Sequence, residues 1–291
     1  MVNAQPSAMV DAMSASIPEL YARQDAMTDP GMFAGLYEDL PADVSALRDV
    51  ASQLILHVSW AERYGIPPDV PLPRDTQSVS DRLKLIQKGF AGSLAAERPP
   101  HKRTFGTCRD YSLMLCSMLR QRSIAARIRC GFATYFSSGL YEDHWICEYW
   151  STERRGWVRV DAQLDRLQQA QLVIKFDCAD LPSKAYLTSG QAWTLARSGA
   201  AEPNDFGHGD SRGSWFLRVN VHRDLLALTN QHISAWDTWR NSTAPSKVLS
   251  VADKDSCDRL ARTIEAAEQS AVGITALAAL AAQIRVPPWQ H

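Results

Sequence analysis

The chain has 291 residues, 31 Lys and Arg against 32 Asp and Glu, and a formal charge of -1. At roughly 150 residues per domain, that is one large domain or two ordinary ones. The charge balance excludes a nucleic-acid binder that works by broad phosphate neutralisation, which needs a net basic field. A composition of 45% hydrophobic and 22% charged residues excludes wholesale disorder.

The first residues, Met1-Val2-Asn3-Ala4-Gln5-Pro6, hold no basic run followed by an apolar one, so no secretory leader is expected. No stretch approaches 18 consecutive apolar residues, so no membrane span is expected either. Both point to a reducing cytoplasm and free thiols. The six cysteines, Cys108, Cys116, Cys130, Cys147, Cys178 and Cys257, include no pair with the two-residue gap of a zinc ribbon or a redox motif.

Residues 1–50 hold eight acids against Arg23 and Arg48. Asp43 is a candidate N-cap for a helix through Leu47, Val50, Ala51, Leu54 and Ile55. Pro67, Pro68, Pro71 and Pro73 make a loop, and Asp75 or Ser78 starts a second helix with Leu83, Leu85, Ile86 and Phe90 on its apolar side. From Lys102 the charge reverses: residues 101–130 hold seven Lys and Arg against Asp110, so the two stretches are expected to attract each other.

The spacing of Tyr111, Leu115, Met118 and Leu119 predicts a helix from about Cys108 to Arg120. Ala125 to Phe136, His144 to Trp150 and Trp157 to Ala162 read as strands, the last two joined as an antiparallel hairpin. Beyond them, Ala185 to Arg197 reads as helix, Glu202 to Gly213 as loop and Trp215 to Val221 as strand. Asp224 to Asn230 reads as a short helix, and Lys254 to Ile284 as one or two amphipathic helices. This order predicts an α+β fold.

One constellation carries chemistry. Cys108 opens a predicted helix, where unpaired amides and the helix dipole favour a thiolate and can hold an oxyanion. The hairpin brings His144 beside Asp161, so Asp161 can fix the imidazole tautomer while His144 exchanges a proton with Cys108. Asp143 and Asp165 are alternative acids, with Asp143 expected on the opposite face from His144. Asp110 is expected to be a dipole-complementing or structural acid, and Arg109 to be solvated sooner than to bind a substrate carboxylate. Trp60 is the one tryptophan upstream of Cys108, and no motif places it.

Three ordered blocks resemble the transglutaminase-like superfamily. Gly106-Thr107-Cys108-Arg109-Asp110-Tyr111, with Leu119-Arg120, Ile124-Ala125-Ala126-Arg127 and Gly131, resembles its nucleophile block. Asp143-His144-Trp145-Ile146-Cys147-Glu148-Tyr149 resembles its histidine strand, and Gly156-Trp157-Val158-Arg159-Val160-Asp161 its aspartate strand. His144 is followed directly by Trp145, and Asp161 by Ala162-Gln163, both departures from the common family pattern. Phe206-Gly207, Trp215-Phe216, Arg223-Asp224-Leu225 and Trp236-Asp237 are similar to tails of bacterial transglutaminase-domain proteins.

The resemblance implies a papain-like core, a Cys-bearing helix packed on an antiparallel sheet, over residues 101–165. Residues 1–100 are then a helical N-terminal extension. Residues 166–291 form a mixed, then mainly helical C-terminal extension within the same globule. Cys108 is implied as nucleophile, His144 as general base and acid, and Asp161 as its orienter. The expected function is cysteine-dependent acyl transfer, as an amide or peptide hydrolase or an amine acyltransferase, through a thioester acyl-enzyme. The alternative is a non-catalytic transglutaminase-like binding or scaffold module. The expected partner is a peptide or small-molecule amide, ester or thioester substrate. No cofactor, metal, nucleic acid or membrane partner is expected; in particular, no acidic loop has calcium-ligand spacing.

Overall fold

The Asp43 carboxylate accepts from the Ala46 amide at 2.9 Å and starts helix α2 (Val44–Leu54), as its N-cap position predicts. Ser78 does the same for α3 (Val79–Gly89), accepting from the Asp81 amide at 3.1 Å. In this computed structural model, residues 17–231, 248–267 and 271–282 are described. Trp236, Asp237 and His232 lie outside them, as do parts of the predicted helical stretch 254–284.

The N-terminal part also holds α1 (Ile17–Tyr21) and the three-residue strand β1 (Ile55–His57). Strand β1 pairs in parallel with β2 (Thr104–Gly106), placing Ile55 opposite Thr104 and His57 opposite Gly106. One residue beyond β2, Thr107 leads into α4 (Cys108–Gln121). Every side chain of α4 from Cys108 to Arg120 is buried, so this helix forms the centre of the main apolar cluster.

Helix α4 packs on β3 (Ala126–Ala133) and β4 (Tyr141–Ser151). These strands pair antiparallel, with Gly131 opposite His144 and Cys130 opposite Trp145. Strand β5 (Gly156–Val160) adds to β4 as the predicted antiparallel hairpin. After α5 (Arg166–Gln171), the short strand β6 (Tyr186–Thr188) pairs antiparallel with the end of β3. Strands β7 (Phe206–His208) and β8 (Ser211–Arg212) extend the sheet beyond β4. The result is a mixed helix-and-sheet architecture, as the α+β expectation requires.

The region after Thr188 departs from the sequence reading. Helix α6 (Ser189–Arg197) is shorter than predicted because Tyr186–Thr188 is drawn into the sheet. The stretch read as loop supplies β7 and β8. Trp215 to Val221 is not a strand: it belongs to α7 (Ser214–Leu228), which also absorbs the predicted short helix. Helix α7 buries both apolar and polar residues, including Phe216, Asn220, Arg223 and Asp224. A helix buried around most of its circumference has no amphipathic stripe to read. Helices α8 (Val251–Ala267) and α9 (Ala271–Ala281) pack beside it. No helix among the described residues is long and apolar enough to cross a membrane.

Among the described residues, the opposed charge stretches meet at the ion pair of Arg120 Nη1 with Asp25 Oδ2, at 2.5 Å. Other arginines of the basic stretch pair with acids outside residues 1–50. Arg127 and Arg129 bind Glu148, Arg129 also binds Asp224, and Arg103 binds Asp165. Burial explains this sorting. Arg127 and Arg129 lie inside the fold, where an unpaired charge is costly, so each takes a buried acid.

Candidate active site

Cys108 stands at the first position of α4, where backbone amides have no partner within the helix. The turn before it is tightly built. Asp110 accepts from the Thr107 amide at 2.7 Å, and Arg82 Nη2 lies 3.0 Å from its other oxygen. Asp110 therefore closes the helix start instead of facing solvent. Gly106 makes room for it: a Cβ there would stand 2.8 Å from Asp110 Oδ2 and 3.0 Å from Ile55 Cγ2. Arg109, expected in solvent, is buried and donates from Nη1 to the Gln77 carbonyl at 3.3 Å.

His144 lies on β4, and Asp161 follows directly after β5. The hairpin pairs Cys147 with Val160. One further step puts Asp161 opposite Ile146, diagonal to His144 and within side-chain reach. His144 Nε2 donates to Asp161 Oδ2 at 2.9 Å. The Cys108 sulfur is close enough to the same imidazole to help raise its pKa. The three predicted site residues are thus brought together. Cys108 is 9% exposed, His144 1% and Asp161 0%. The other five cysteines are also buried and free.

Burial alone would make His144 harder to protonate, but the Asp161 carboxylate and the Cys108 sulfur outweigh it and push its pKa up to about 10. Burial likewise works against the Asp161 carboxylate. The His144 charge and hydrogen bonds from His144, Tyr135 and the Gln163 amide hold it below the usual carboxylate range. The alternative acids are engaged elsewhere. Asp143 accepts from Asn220 Nδ2 of α7 at 2.7 Å, on the opposite side from His144, as expected. Asp165 caps α5 and binds the Tyr64 hydroxyl at 2.6 Å and Arg103 at 2.9 Å.

Two further residues at the site were not legible from sequence. Tyr135 donates its hydroxyl to Asp161 Oδ2 at 2.5 Å, and Phe136 packs edge-on against the His144 ring with centroids 4.9 Å apart. Both were read as the end of a strand, but β3 stops at Ala133 and leaves this aromatic pair in the loop beyond it. His57 sits across from Gly106, two residues before Cys108. Nothing local ties it to a segment some fifty residues away. Gly131, in contrast, carried a signal as a glycine inside a strand. A Cβ there would stand 2.2 Å from the Leu187 carbonyl and 2.6 Å from the Tyr186 hydroxyl. Its absence lets that hydroxyl reach the His144 carbonyl at 3.2 Å, behind the imidazole.

The N-terminal region also touches the site. Arg48 of α2 donates from Nε to the Asp161 carbonyl at 3.0 Å, and from Nη2 to the Leu164 carbonyl.

A family model for the transglutaminase-like superfamily matches residues 91–162, about a quarter of the chain. No curated protein and no solved structure gives a match. The matched residues run from the loop before β2 to the aspartate after β5, and so include Cys108, His144 and Asp161. Over residues 91–162 the chain is similar to the transglutaminase-like superfamily.

Proposed function

We propose that the protein is a cysteine-dependent acyl-transfer enzyme in which Cys108, His144 and Asp161 form the catalytic triad. The observation that carries this is the 2.9 Å contact from His144 Nε2 to buried Asp161, on an imidazole whose pKa the Cys108 sulfur at the start of α4 also raises. The Asp161 carboxylate pushes the His144 pKa up to about 10, which makes this ring the group placed to exchange a proton with the Cys108 sulfur.

The thiolate attacks the carbonyl carbon of an amide, ester or thioester. A C–S bond forms, and the carbonyl π pair moves onto oxygen. The Cys108 backbone N–H stabilises this oxyanion. The oxyanion collapses, the bond to the leaving group breaks, and His144 Nδ1 gives that group its proton. A thioester acyl-enzyme remains. Neutral His144 then takes a proton from water or an amine, which attacks the thioester and releases Cys108 as thiolate. Asp161 holds the imidazole orientation through both halves.

In this reading, helix α4 on strands β3 to β5 is a papain-like core. Residues 1–100 and 166–291 are extensions that support it: Arg48 holds the Asp161 segment, and α7 backs the histidine strand. The substrate is a peptide or a small molecule, and the six free thiols fit work in a reducing cytoplasm.

Iodoacetamide alkylation followed by mass spectrometry tests the reading. Cys108 is expected to react first, well ahead of the other five thiols. His144→Ala is expected to slow Cys108 at neutral pH, and Cys108→Ala to remove the fast site while the fold survives. Equal reactivity of all six thiols, or a Cys108 rate indifferent to His144→Ala, overturns it.

A further inference from the structure

The mechanism above names one oxyanion donor, the Cys108 amide, and a tetrahedral oxyanion in a water-poor site calls for a second. We infer that His57 supplies it, through the N–H of its Nε2. The inference deepens the acyl-transfer reading and rests on it.

Position comes first. Strand β1 ends at His57, whose Cα partner across the parallel pair is Gly106. Neighbouring strands stand roughly 4.8 Å apart, and Cys108 follows Gly106 by two residues. Strand alternation sets the side. Ile55 packs toward Gly106 and shares the apolar cluster of Cys108 and Tyr111, while Leu56 goes to a separate cluster with Ile66. His57 shares the Ile55 face, and is therefore on the side of the α4 N-terminus. It is 9% exposed, the same as Cys108.

Tautomer comes second. His57 Nδ1 accepts the Ser59 amide at 3.2 Å, where the chain turns into a 3-10 helix (Val58–Tyr64). A neutral imidazole with an accepting Nδ1 carries its proton on Nε2. The ring does stay neutral. Burial, then the neighbouring charges of His144 and His208, push its pKa down to about 3, with Asp161 opposing. The electrostatic coupling to both His144 and Asp161 also puts His57 within the field of the proposed triad. The site thus has two histidines with opposite tasks. His144 is charged and moves protons, whereas His57 is neutral and donates a fixed hydrogen bond.

Two reagents separate this role from the nucleophile reading. Iodoacetamide alkylates sulfur by displacement and forms no oxyanion. The acyl donor p-nitrophenyl acetate forms one. His57→Ala and His57→Asn are expected to slow single-turnover acetylation of Cys108 by 10²–10³-fold, the usual loss for one oxyanion donor. Alkylation of Cys108 should stay within about twofold, because removing a neutral ring leaves the charge at sulfur unchanged. Asn keeps an acceptor for the Ser59 amide, so a loss in both variants is not a loss of that turn. Gln extends an N–H to the Nε2 position and is expected to restore part of the acetylation rate.

If acetylation and alkylation both remain at wild-type rates in His57→Ala, the inference about His57 is wrong while the nucleophile reading stands. If both fall together in Ala, Asn and Gln, His57 is structural only. If the loss follows Trp60→Phe and none of the His57 variants, the indole is the donor. If wild-type Cys108 shows no preference with either reagent, the acyl-transfer reading falls and this inference falls with it.

Discussion

Tyr135 donates its hydroxyl to the same Asp161 oxygen that receives His144 Nε2, at 2.5 Å and 2.9 Å. The other Asp161 oxygen accepts the Gln163 amide at 2.8 Å. A fully buried carboxylate is thereby satisfied on both oxygens and kept ionised beside the imidazole. Removing the phenol takes away one hydrogen bond to a charged group, worth about 1.5–3 kcal/mol. Tyr135→Phe is therefore expected to lower stability by about that amount in urea unfolding, while Cys108 remains the fastest-alkylating thiol, because His144 and Gln163 still hold Asp161. An unchanged unfolding midpoint would show the phenol to be dispensable.

The His144–Asp161 contact sets a pH window. The folded pKa of His144, about 10, lies above its ordinary 6.5, so the folded state binds the proton more tightly than the unfolded state. The resulting stabilisation is fully present below about 6.5 and is lost as pH rises through about 10. The stability difference between wild type and His144→Gln, measured by urea unfolding at several pH values, is expected to shrink over that window. A difference that stays flat from pH 6 to 10 contradicts the ion pair.

His57 titrates in the opposite sense. Its folded pKa, about 3, lies below 6.5, so in acid the unfolded state takes up the proton first. It costs stability progressively as pH falls from about 6.5 toward 3. His57→Gln, which cannot titrate, is expected to lose less stability than wild type between pH 7 and 4. Parallel pH profiles for the two proteins would rule this out.

Glu148, four residues beyond His144 on β4, holds three arginines. Arg127 Nε donates to it at 2.8 Å, Arg129 Nη1 at 3.2 Å and Arg159 Nε at 3.3 Å. Those charges keep its carboxylate well below the usual range despite complete burial. Glu148→Gln leaves buried guanidinium groups underpaired, and is expected to destabilise the fold by about 3–5 kcal/mol. Arg154→Ala, which breaks the exposed pair with Asp180, is expected to leave the midpoint of the same denaturation curve unmoved.

Gly131 of β3 lies opposite His144 and against the Tyr186 side chain. A methyl group there meets the Leu187 backbone at 2.2 Å, and backbone cannot step aside. Gly131→Ala is expected to separate β6 from β3 and to expose new thiols to alkylation under native conditions. Wild-type thiol protection in that variant would show that the strands can yield.

Much of the site was legible because its signals are local. Asp43 and Ser78 cap helices where cap residues precede apolar periodicity. The Cys108 helix, the histidine strand and the hairpin to Asp161 follow from periods of 3.6 and 2, together with a short turn. Those elements suffice to nominate three residues. The sequence alone determined which chemical groups stand at element ends and in what order.

Tertiary structure decided what meets them. Asp143, Asp161 and Asp165 are equivalent as residue types, and only packing assigned Asp143 to α7, Asp165 to Arg103 and Asp161 to His144. The first half of helix α7 read as a strand because burial of its polar side chains, paired with β3 and β4, erased the helical stripe. A parallel strand pair sets His57 opposite Gly106, and a loop contact brings Tyr135 to Asp161, joining distant parts of the chain. Such contacts depend on which surfaces bury each other, and no local period records that.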